Sequence, residues 1–480
     1  MQSITTTRFA PSPTGSLHMG SARTALFNYL LAKKEGGTFL LRIEDTDQKR
    51  LVEGAEEEVY EALRWLGISW TGTPVRQSER LSIYQKYAEQ LIAEGNAYHC
   101  FCSEERLAKM REEQQASGEI TKYDGLCRNL SEKETVERLN RGETSVIRLK
   151  VPKTGKISFD DMIRGEIEFD LVEVEDQILM KSDSFPTYQL ASVIDDHEQK
   201  ITHVLRGEEW ISSTPKNLLL YRFFSWGPPK FGHLPNIVGR DKKKLSKREG
   251  DVAVMDFRQK GYLPEAVVNF LVFLGWNPGG EEEFFTLESL AKIFDIKKAH
   301  KSPAVFDLDK LNFFNARYIR HKNIDELLEL AESFSKINFD EYEKDYLKKV
   351  ILTVKDRMVT LGDFDALAKC FFSTPRLEKE MIKFGKSVWE DTEKGLKKSF
   401  EKLESIPEKS WVNQGMLNDA LANSVAESGL KNGDIFWPVR YALSGEEKSP
   451  SPAELLWVIG REESLKRIKK AQDKITPDNK

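Results

Sequence analysis

The sequence predicts a doubly wound α/β core that is interrupted by an inserted α+β segment and followed by all-α domains. Three observations carry this expectation. The first 70 residues alternate strand-like and helical apolar periods. Around residue 85 the pattern changes to charge-rich helices and short strand-like segments, and the α/β alternation returns near Tyr188. Beyond Asn323, apolar positions recur at helical spacing almost throughout. The expected boundaries are 1–84 and 188–240 for the two halves of the core and 85–187 for the insertion. A mainly helical segment at 241–322 and a helical region at 323–480 complete the chain.

Each element has a local reason. Thr5 to Ala10 reads as a strand, and Pro11-Ser-Pro-Thr-Gly15 as a turn. Ala22, Leu26, Tyr29 and Leu30 fall on one helical face, and Gly36-Gly37 stops that helix. Thr38 to Ile43 is an apolar strand, followed by an acidic amphipathic helix from Val52 to Leu66. Strand, crossover helix and neighbouring strand imply a parallel sheet with its ligand cleft at the strand ends, where Glu44 and Asp45 emerge. Within the insertion, Thr144 to Val151 has strand character. In the last third, helices are expected at Ile324–Phe334, Tyr342–Arg357, Val388–Leu403 and Ala453–Gln472, with a polar tail after Lys474.

Composition sets limits on function. At 480 residues the chain has room for about two to four domains. With 40% hydrophobic and 31% charged residues it reads as an ordinary soluble protein. The longest apolar run, Val267 to Trp276, is too short to cross a bilayer, so no membrane association is expected. The first residues show no basic segment followed by an apolar one, and a cytoplasmic location is expected. Four cysteines do not make a disulfide scaffold. A net charge of −5 does not point to nucleic acid, so that case rests on local patches. One comprises Arg240, Lys242, Lys243, Lys244, Lys247 and Arg248; another comprises Lys466, Arg467, Lys469 and Lys470.

Two motifs carry chemistry. The turn Pro11-Ser-Pro-Thr-Gly-Ser-Leu-His18-Met-Gly20-Ser21 opens a helix, where free backbone N–H groups and the positive end of the helix dipole favour a phosphate. Gly20 has no Cβ, so a purine and ribose can lie on the backbone. Some two hundred residues later, Lys244-Leu-Ser246-Lys247-Arg248 places two ammonium groups and a hydroxyl on a loop able to close over a triphosphate.

Together these resemble the two signature motifs of class I aminoacyl-tRNA synthetases. The flanking residues narrow the resemblance to bacterial-type glutamyl-tRNA synthetases: Arg8 to Gly15, Leu41 to Asp47, Phe185 to Tyr188, Val193 to His197, Val204 to Trp210, Gly261 to Trp276 and Arg440 to Gly445. The resemblance implies a Rossmann-type catalytic core, an inserted acceptor-end-binding domain, a stem-contact domain carrying the Lys244–Arg248 loop, and a helical anticodon-binding region. It implies a monomer that uses ATP with Mg²⁺ to convert L-glutamate to glutamyl-adenylate and then charges the 3′ end of tRNA(Glu). Glutaminyl enzymes share the nucleotide motifs, but resemblance to them would require a β-barrel anticodon region, and the helical C-terminal third shows no dense alternation of strands.

Residue roles follow from the same resemblance. His18, Gly20, Lys244 and Lys247 form the catalytic set, and Ser12, His18, Gly20, Ser246 and Lys247 the ATP-binding set. Arg8, Ser12, Glu44, Tyr188, Ser192 and Arg206 are expected to hold glutamate, with Arg206 on the side-chain carboxylate. At Ser192 some relatives carry asparagine. Arg206 is also placed to be a strand-end ion pair with Glu208 or Glu209. Arg357 matches a position associated with rejecting the glutamine anticodon, and Trp411 and Trp437 are candidates for base stacking or core positions. Cys100, Cys102 and Cys127 resemble a zinc site found in part of the family. The expected fourth position is Asn129, a poor ligand, with His99 nearby, so buried reduced cysteines are the preferred reading. Two other functions stay open: a non-discriminating enzyme that also charges tRNA(Gln), and an inactive RNA-binding paralogue.

Overall fold

The N-terminal strand forms as β1 (Thr6–Phe9), and the turn after it leads into α1 (Met19–Lys34). α1 is buried nearly all round: Met19, Ala22, Leu26, Phe27 and Leu30 are inaccessible, which makes it a core helix and not a surface one. It ends at Gly36, whose φ of 62° suits glycine, and at Gly37, where any Cβ would overlap the backbone of Thr5. β2 (Thr38–Ile43) then pairs parallel to β1, with Thr6 opposite Thr38 and Phe9 opposite Leu41. α2 (Ala55–Trp65) starts three residues later than expected because Gly54 takes a left-handed conformation, φ 77°. β3 (Val75–Arg76) pairs with β2, and α3 (Leu81–Ala93) follows. The computed structural model describes residues 4–119, 121–242 and 253–476.

The insertion contains β4 (Ala97–Cys100), α4 (Glu104–Ala116), α5 (Glu132–Asn140), β5 (Val146–Leu149), β6 (Lys156–Asp161), β7 (Gly165–Asp170) and β8 (Ile178–Met180). β4, β5 and β8 form one antiparallel sheet with β5 central, and β6 and β7 form a separate hairpin. The core resumes with α6 (Tyr188–Glu198), β9 (His203–Gly207), α7 (Thr214–Phe223) and β10 (Lys230–Leu234). β9 and β10 are parallel, and Thr202 joins β9 to β1: its N–H donates to Thr6 O at 2.9 Å, and its Oγ1 accepts from Thr6 N–H at 2.8 Å. The strands therefore run β3, β2, β1, β9, β10, and the chain reverses its winding direction between β1 and β9. Insertion and core share one apolar interior, in which Tyr84 and Leu91 of α3, Leu149, Leu179, Leu190, Leu219 and Phe231 are all buried. Each such side chain contributes about 1.5–3 kcal/mol on leaving water.

β11 (Ile237–Val238), α8 (Val254–Gln259), α9 (Pro264–Phe273), α10 (Leu287–Ile293), β12 (Ala304–Val305) and α11 (Leu308–His321) come next. The residues up to Gln259, with Pro264–Leu311, make one compact unit; Lys260–Leu263 and the chain from Asn312 make another. The second unit contains α12 (Ile324–Glu332), α13 (Lys344–Val354), α14 (Phe364–Phe372), α15 (Lys379–Ile382), α16 (Trp389–Glu404), α17 (Gln414–Ser428), α18 (Asn432–Ser444), α19 (Pro452–Ile459) and α20 (Arg461–Ile475). Among the described residues no strand follows Val305. The single helix expected over Ala453–Gln472 is two helices, broken at Gly460 with φ 83° and ψ 171°. No helix among the described residues is long and apolar enough to cross a membrane.

Candidate functional site

In an open parallel sheet the ligand crevice lies outside the carboxyl ends of the strands, at the point where winding reverses. Here that point is between β1 and β9, and the last residues of those strands are Phe9 and Gly207. Arg8 and Arg206 therefore flank it. A cleft of about 900 Å³ opens there, lined among others by Arg8, Ser12, His18, Glu44, Tyr188 and Arg206. Asn28 of α1 fixes the spacing of the two strands: its carbonyl accepts from Thr7 Oγ1 at 2.8 Å and its Nδ2 donates to Leu205 O at 3.0 Å.

The two arginines are held differently. Arg8 donates from Nε and Nη2 to Asp196, at 3.0 and 3.4 Å. Asp196 also accepts from the wholly buried Arg42 at 2.8 Å, and Arg42 reaches Glu44 at 3.3 Å and Asp195 at 3.8 Å. Asp195 is fully buried and receives bonds from Gln77, Arg80 and Tyr84. Burial works to raise Asp196, but Arg8 and Arg42 hold its carboxyl below the usual range. Burial dominates at Glu44, lifting it to about 7 against the lowering charges of Arg42 and Arg8. This network of Arg42, Asp195 and Asp196 is not legible in the sequence, where the Asp-Asp pair is only part of the Val193–His197 stretch.

Arg206 is buried, yet among the described residues no carboxylate pairs with it, so the anticipated ion pair with Glu208 or Glu209 does not form. Glu208 instead binds Arg164. Arg206 has only neutral partners: His233 Nε2 at 3.1 Å, Thr214 Oγ1 at 2.8 Å, Asn217 Oδ1 at 3.2 Å and the Tyr188 hydroxyl at 3.4 Å. Tyr188 packs on Trp210, ring centroids 4.1 Å apart. A buried guanidinium without a counter-ion is costly unless an anion completes it. Glu209, read from the sequence only as a partner for Arg206, lines the cleft with its carboxylate folded over Gly207, where a Cβ would overlap it.

The nucleotide turn is ordered by the backbone: Thr14 N–H donates to Ser12 O, and Gly15 has φ 140°. His18 is the extended N-cap residue of α1 and faces the cleft. Gly20 and Ser192 do not line the cleft; Ser192 is buried one turn past Tyr188 in α6. Among the described residues, a Cβ at Gly20 would meet only Ile237 Cδ1, at 3.9 Å. Lys244, Ser246, Lys247 and Arg248 lie outside the described residues. The chain just after them is bound to the turn, since Val254 N–H donates to Leu17 O at 2.9 Å and Ala253 bridges His18.

In the insertion, the Cys100, Cys102 and Cys127 sulfurs lie within 4.8 Å of one another, a group that could hold zinc. Tyr123 brings its hydroxyl to 3.4 Å from Cys100 Sγ and 3.5 Å from Cys102 Sγ, a fourth donor that no sequence spacing suggested. His99, the nearby candidate, turns instead to Ser145 at 3.3 Å. In the second unit, Arg357 is exposed at the end of a short turn. Trp411 is a buried core residue, whereas Trp437 is half-buried under the Arg440 guanidinium, 4.8 Å from its ring. Arg467 leaves the expected basic patch: it is buried, paired with Glu463 and bonded to Cys370 O and Leu443 O.

A doubly wound sheet with a His-containing helix start and two arginines at its switch point is the geometry of a class I amino-acid-activating domain. The family of class I tRNA synthetases (E and Q), catalytic domain, matches residues 4–313, and an anticodon binding domain matches residues 326–472. The chain belongs to the class I tRNA synthetases of the E and Q type. It is 42% identical to a glutamate–tRNA ligase of Clostridioides difficile (strain 630) over 494 aligned positions, covering 96% of this chain and 97% of that one. It is 44% identical to one of Clostridium novyi (strain NT), covering 98% of each. A crystal structure of a glutamate tRNA ligase from Elizabethkingia meningosepticum in complex with its amino acid has a TM-score of 0.90 at 35% identity, covering 99% of this chain and 100% of that chain.

Proposed function

We propose that this chain carries out the glutamate–tRNA ligase reaction with the residues of the β1/β9 cleft. The single observation that carries the reading is Arg206, a buried cation with four neutral partners and, among the described residues, no carboxylate. A glutamate side-chain carboxylate entering there supplies the missing charge. Glutamine offers an amide whose N–H groups would oppose the guanidinium donors. Glu44 and Ser12 receive the α-ammonium end, and Arg8 and Tyr188 serve the α-carboxylate.

The chemistry needs no protein nucleophile. The α-carboxylate of glutamate attacks the α-phosphorus of ATP, pyrophosphate leaves, and the ribose hydroxyl at the tRNA 3′ end then takes the glutamyl group. Catalysis is alignment plus charge stabilisation. His18 at the helix start donates to the phosphate region, and Lys247 neutralises the departing pyrophosphate while Lys244 and Ser246 help hold the loop. Gly20 fits a nucleotide ligand because neither a positive φ nor, among the described residues, crowding requires glycine there. The three thiols and Tyr123 suit zinc, which would tie α4 and the segment before α5 to the end of β4 and serve folding, not chemistry.

The activity is tested by charging purified tRNA(Glu) and tRNA(Gln) with labelled glutamate and ATP-Mg²⁺. ATP-dependent labelling of tRNA(Glu) is expected. Labelling of neither tRNA would leave only the inactive-paralogue reading. Arg357 is the residue we assign to preference between the two tRNAs.

A further inference from the structure

The partners of Arg206 are themselves organised by a layer of groups outside the cleft. For His233 Nε2 to accept from Arg206 Nε at 3.1 Å it must be unprotonated, so the imidazole proton resides on Nδ1. Nδ1 lies 2.6 Å from Asp161 Oδ2. Asp161 and His233 are both fully buried. The Asp161 carboxylate is fixed in turn by backbone: Oδ1 accepts from the N–H groups of Ile163 and Arg164, each at 2.9 Å, and Oδ2 from His233 N–H at 3.1 Å. The hairpin that carries Asp161 is bonded to β10, where Met162 N–H donates to Phe231 O at 2.8 Å. Burial lowers the His233 pKa even with Asp161 beside it, so the ring stays neutral. Burial acts to raise Asp161, and the bonds from His233 and the backbone hold it below the ordinary range. Thr214 points the same way: its hydroxyl donates to Trp210 O at 3.0 Å, which turns its lone pairs toward Arg206.

We propose that Asp161 and His233 are positioning residues for glutamate selection: Asp161 fixes the His233 tautomer, and His233 aims Arg206 while leaving its charge uncompensated. A carboxylate bonded directly to Arg206 would hold it equally well but would cancel the charge and repel the substrate's carboxylate. Interposing a neutral imidazole separates the two functions. The inserted segment thereby takes part in amino-acid choice through Asp161, which touches no substrate. This rests on Arg206 receiving the glutamate side chain.

The test reads glutamate and ATP kinetics in tRNA charging for four variants, together with the histidine tautomer by ¹⁵N NMR. Asp161→Asn keeps size but presents an NH₂ to Nδ1, because the two backbone donors claim its oxygen. The proton is then forced to Nε2, against the Arg206 N–H. His233→Leu removes the acceptor, and His233→Gln can restore it, since its amide oxygen reaches the place of Nε2. We expect the glutamate KM to rise about tenfold or more in Asp161→Asn and His233→Leu, as for loss of one hydrogen bond to a charged group, with the ATP KM little changed. His233→Gln should stay within about threefold of wild type. With seven histidines in the chain, the wild-type His233 signal can be assigned by its loss in His233→Gln, and it should show the Nδ1–H form. An Nε2–H or doubly protonated His233 in the wild type at neutral pH would overturn the proposal even if Asp161→Asn fails to fold. So would unchanged glutamate KM in folded His233→Leu while Arg206→Lys raises it. If Arg206→Lys also leaves that KM unchanged, the assignment of Arg206 falls, and the proposal with it.

Discussion

Replacing Arg206 with alanine removes a buried cleft cation that, among the described residues, no carboxylate balances. The expected loss follows from its surroundings. Breaking a buried ion pair by deleting one partner costs about 3–5 kcal/mol, because the other charge stays desolvated. The cleft opens to solvent, so water reaches part of the orphaned carboxylate and the lower end applies. About 3 kcal/mol is roughly 100-fold in kcat/KM for glutamate at ~1.4 kcal/mol per tenfold. The ATP KM should change little, since Arg206 sits at the end of β9 and the nucleotide turn follows β1. The deletion also strands acceptors on His233, Thr214 and Asn217, so thermal unfolding should be measured alongside, with about 1–3 kcal/mol lost from stability. Arg206→Lys keeps charge without the planar fork and should fall between wild type and alanine. The assay is tRNA charging with labelled glutamate at varied glutamate and varied ATP. A folded Arg206→Ala protein with wild-type kcat/KM for glutamate would refute the reasoning.

Four further outcomes are expected. Glu44 is raised from 4.5 to about 7, so the free protein holds a proton there below pH 7 and loses its negative charge; kcat/KM for glutamate should fall about tenfold from pH 8 to pH 6, and Glu44→Gln should abolish that dependence. Lys247→Ala should slow charging by about 10²–10³-fold through loss of one transition-state charge, with tRNA binding retained; near-normal rates would remove the loop from the reaction. Purified protein should contain close to one zinc per chain by elemental analysis, and Tyr123→Phe should lower zinc retention; metal-free protein with an unaltered melting temperature would favour plain reduced thiols. Arg357→Gln should relax preference between the glutamate and glutamine tRNAs by roughly 1–3 kcal/mol, and an unmoved charging ratio would make it an ordinary surface arginine.

Periodicity made the catalytic half legible in its order of elements: β1 and β2 are buried as their apolar runs indicate, whereas α1 is buried nearly all round and not on one face alone. Arg206 was readable as a strand-end cation, and the helical C-terminal region as helical. What stayed hidden depends on residues far apart in the chain. Arg42 looks like one more strand residue until Asp195 and Asp196 arrive from α6. Asp161 and His233 lie 72 positions apart and meet only because the hairpin bonds to β10. Tyr123 reaches two thiols through a loop with no metal-binding spacing. Gly460 sits inside an unbroken apolar period, so only its left-handed backbone shows that α19 and α20 are separate. Arg467 reads as part of a basic run, yet it caps two buried carbonyls.

The most direct test of the account is a crystal structure of this protein with bound glutamate. The account predicts the side-chain carboxylate at the β1/β9 cleft, within about 2.7–2.9 Å of Arg206 Nη1, with His233 still accepting from Nε and the α-ammonium on the Glu44 side. A glutamate bound in the reverse sense, or with its side-chain carboxylate away from Arg206, would contradict it.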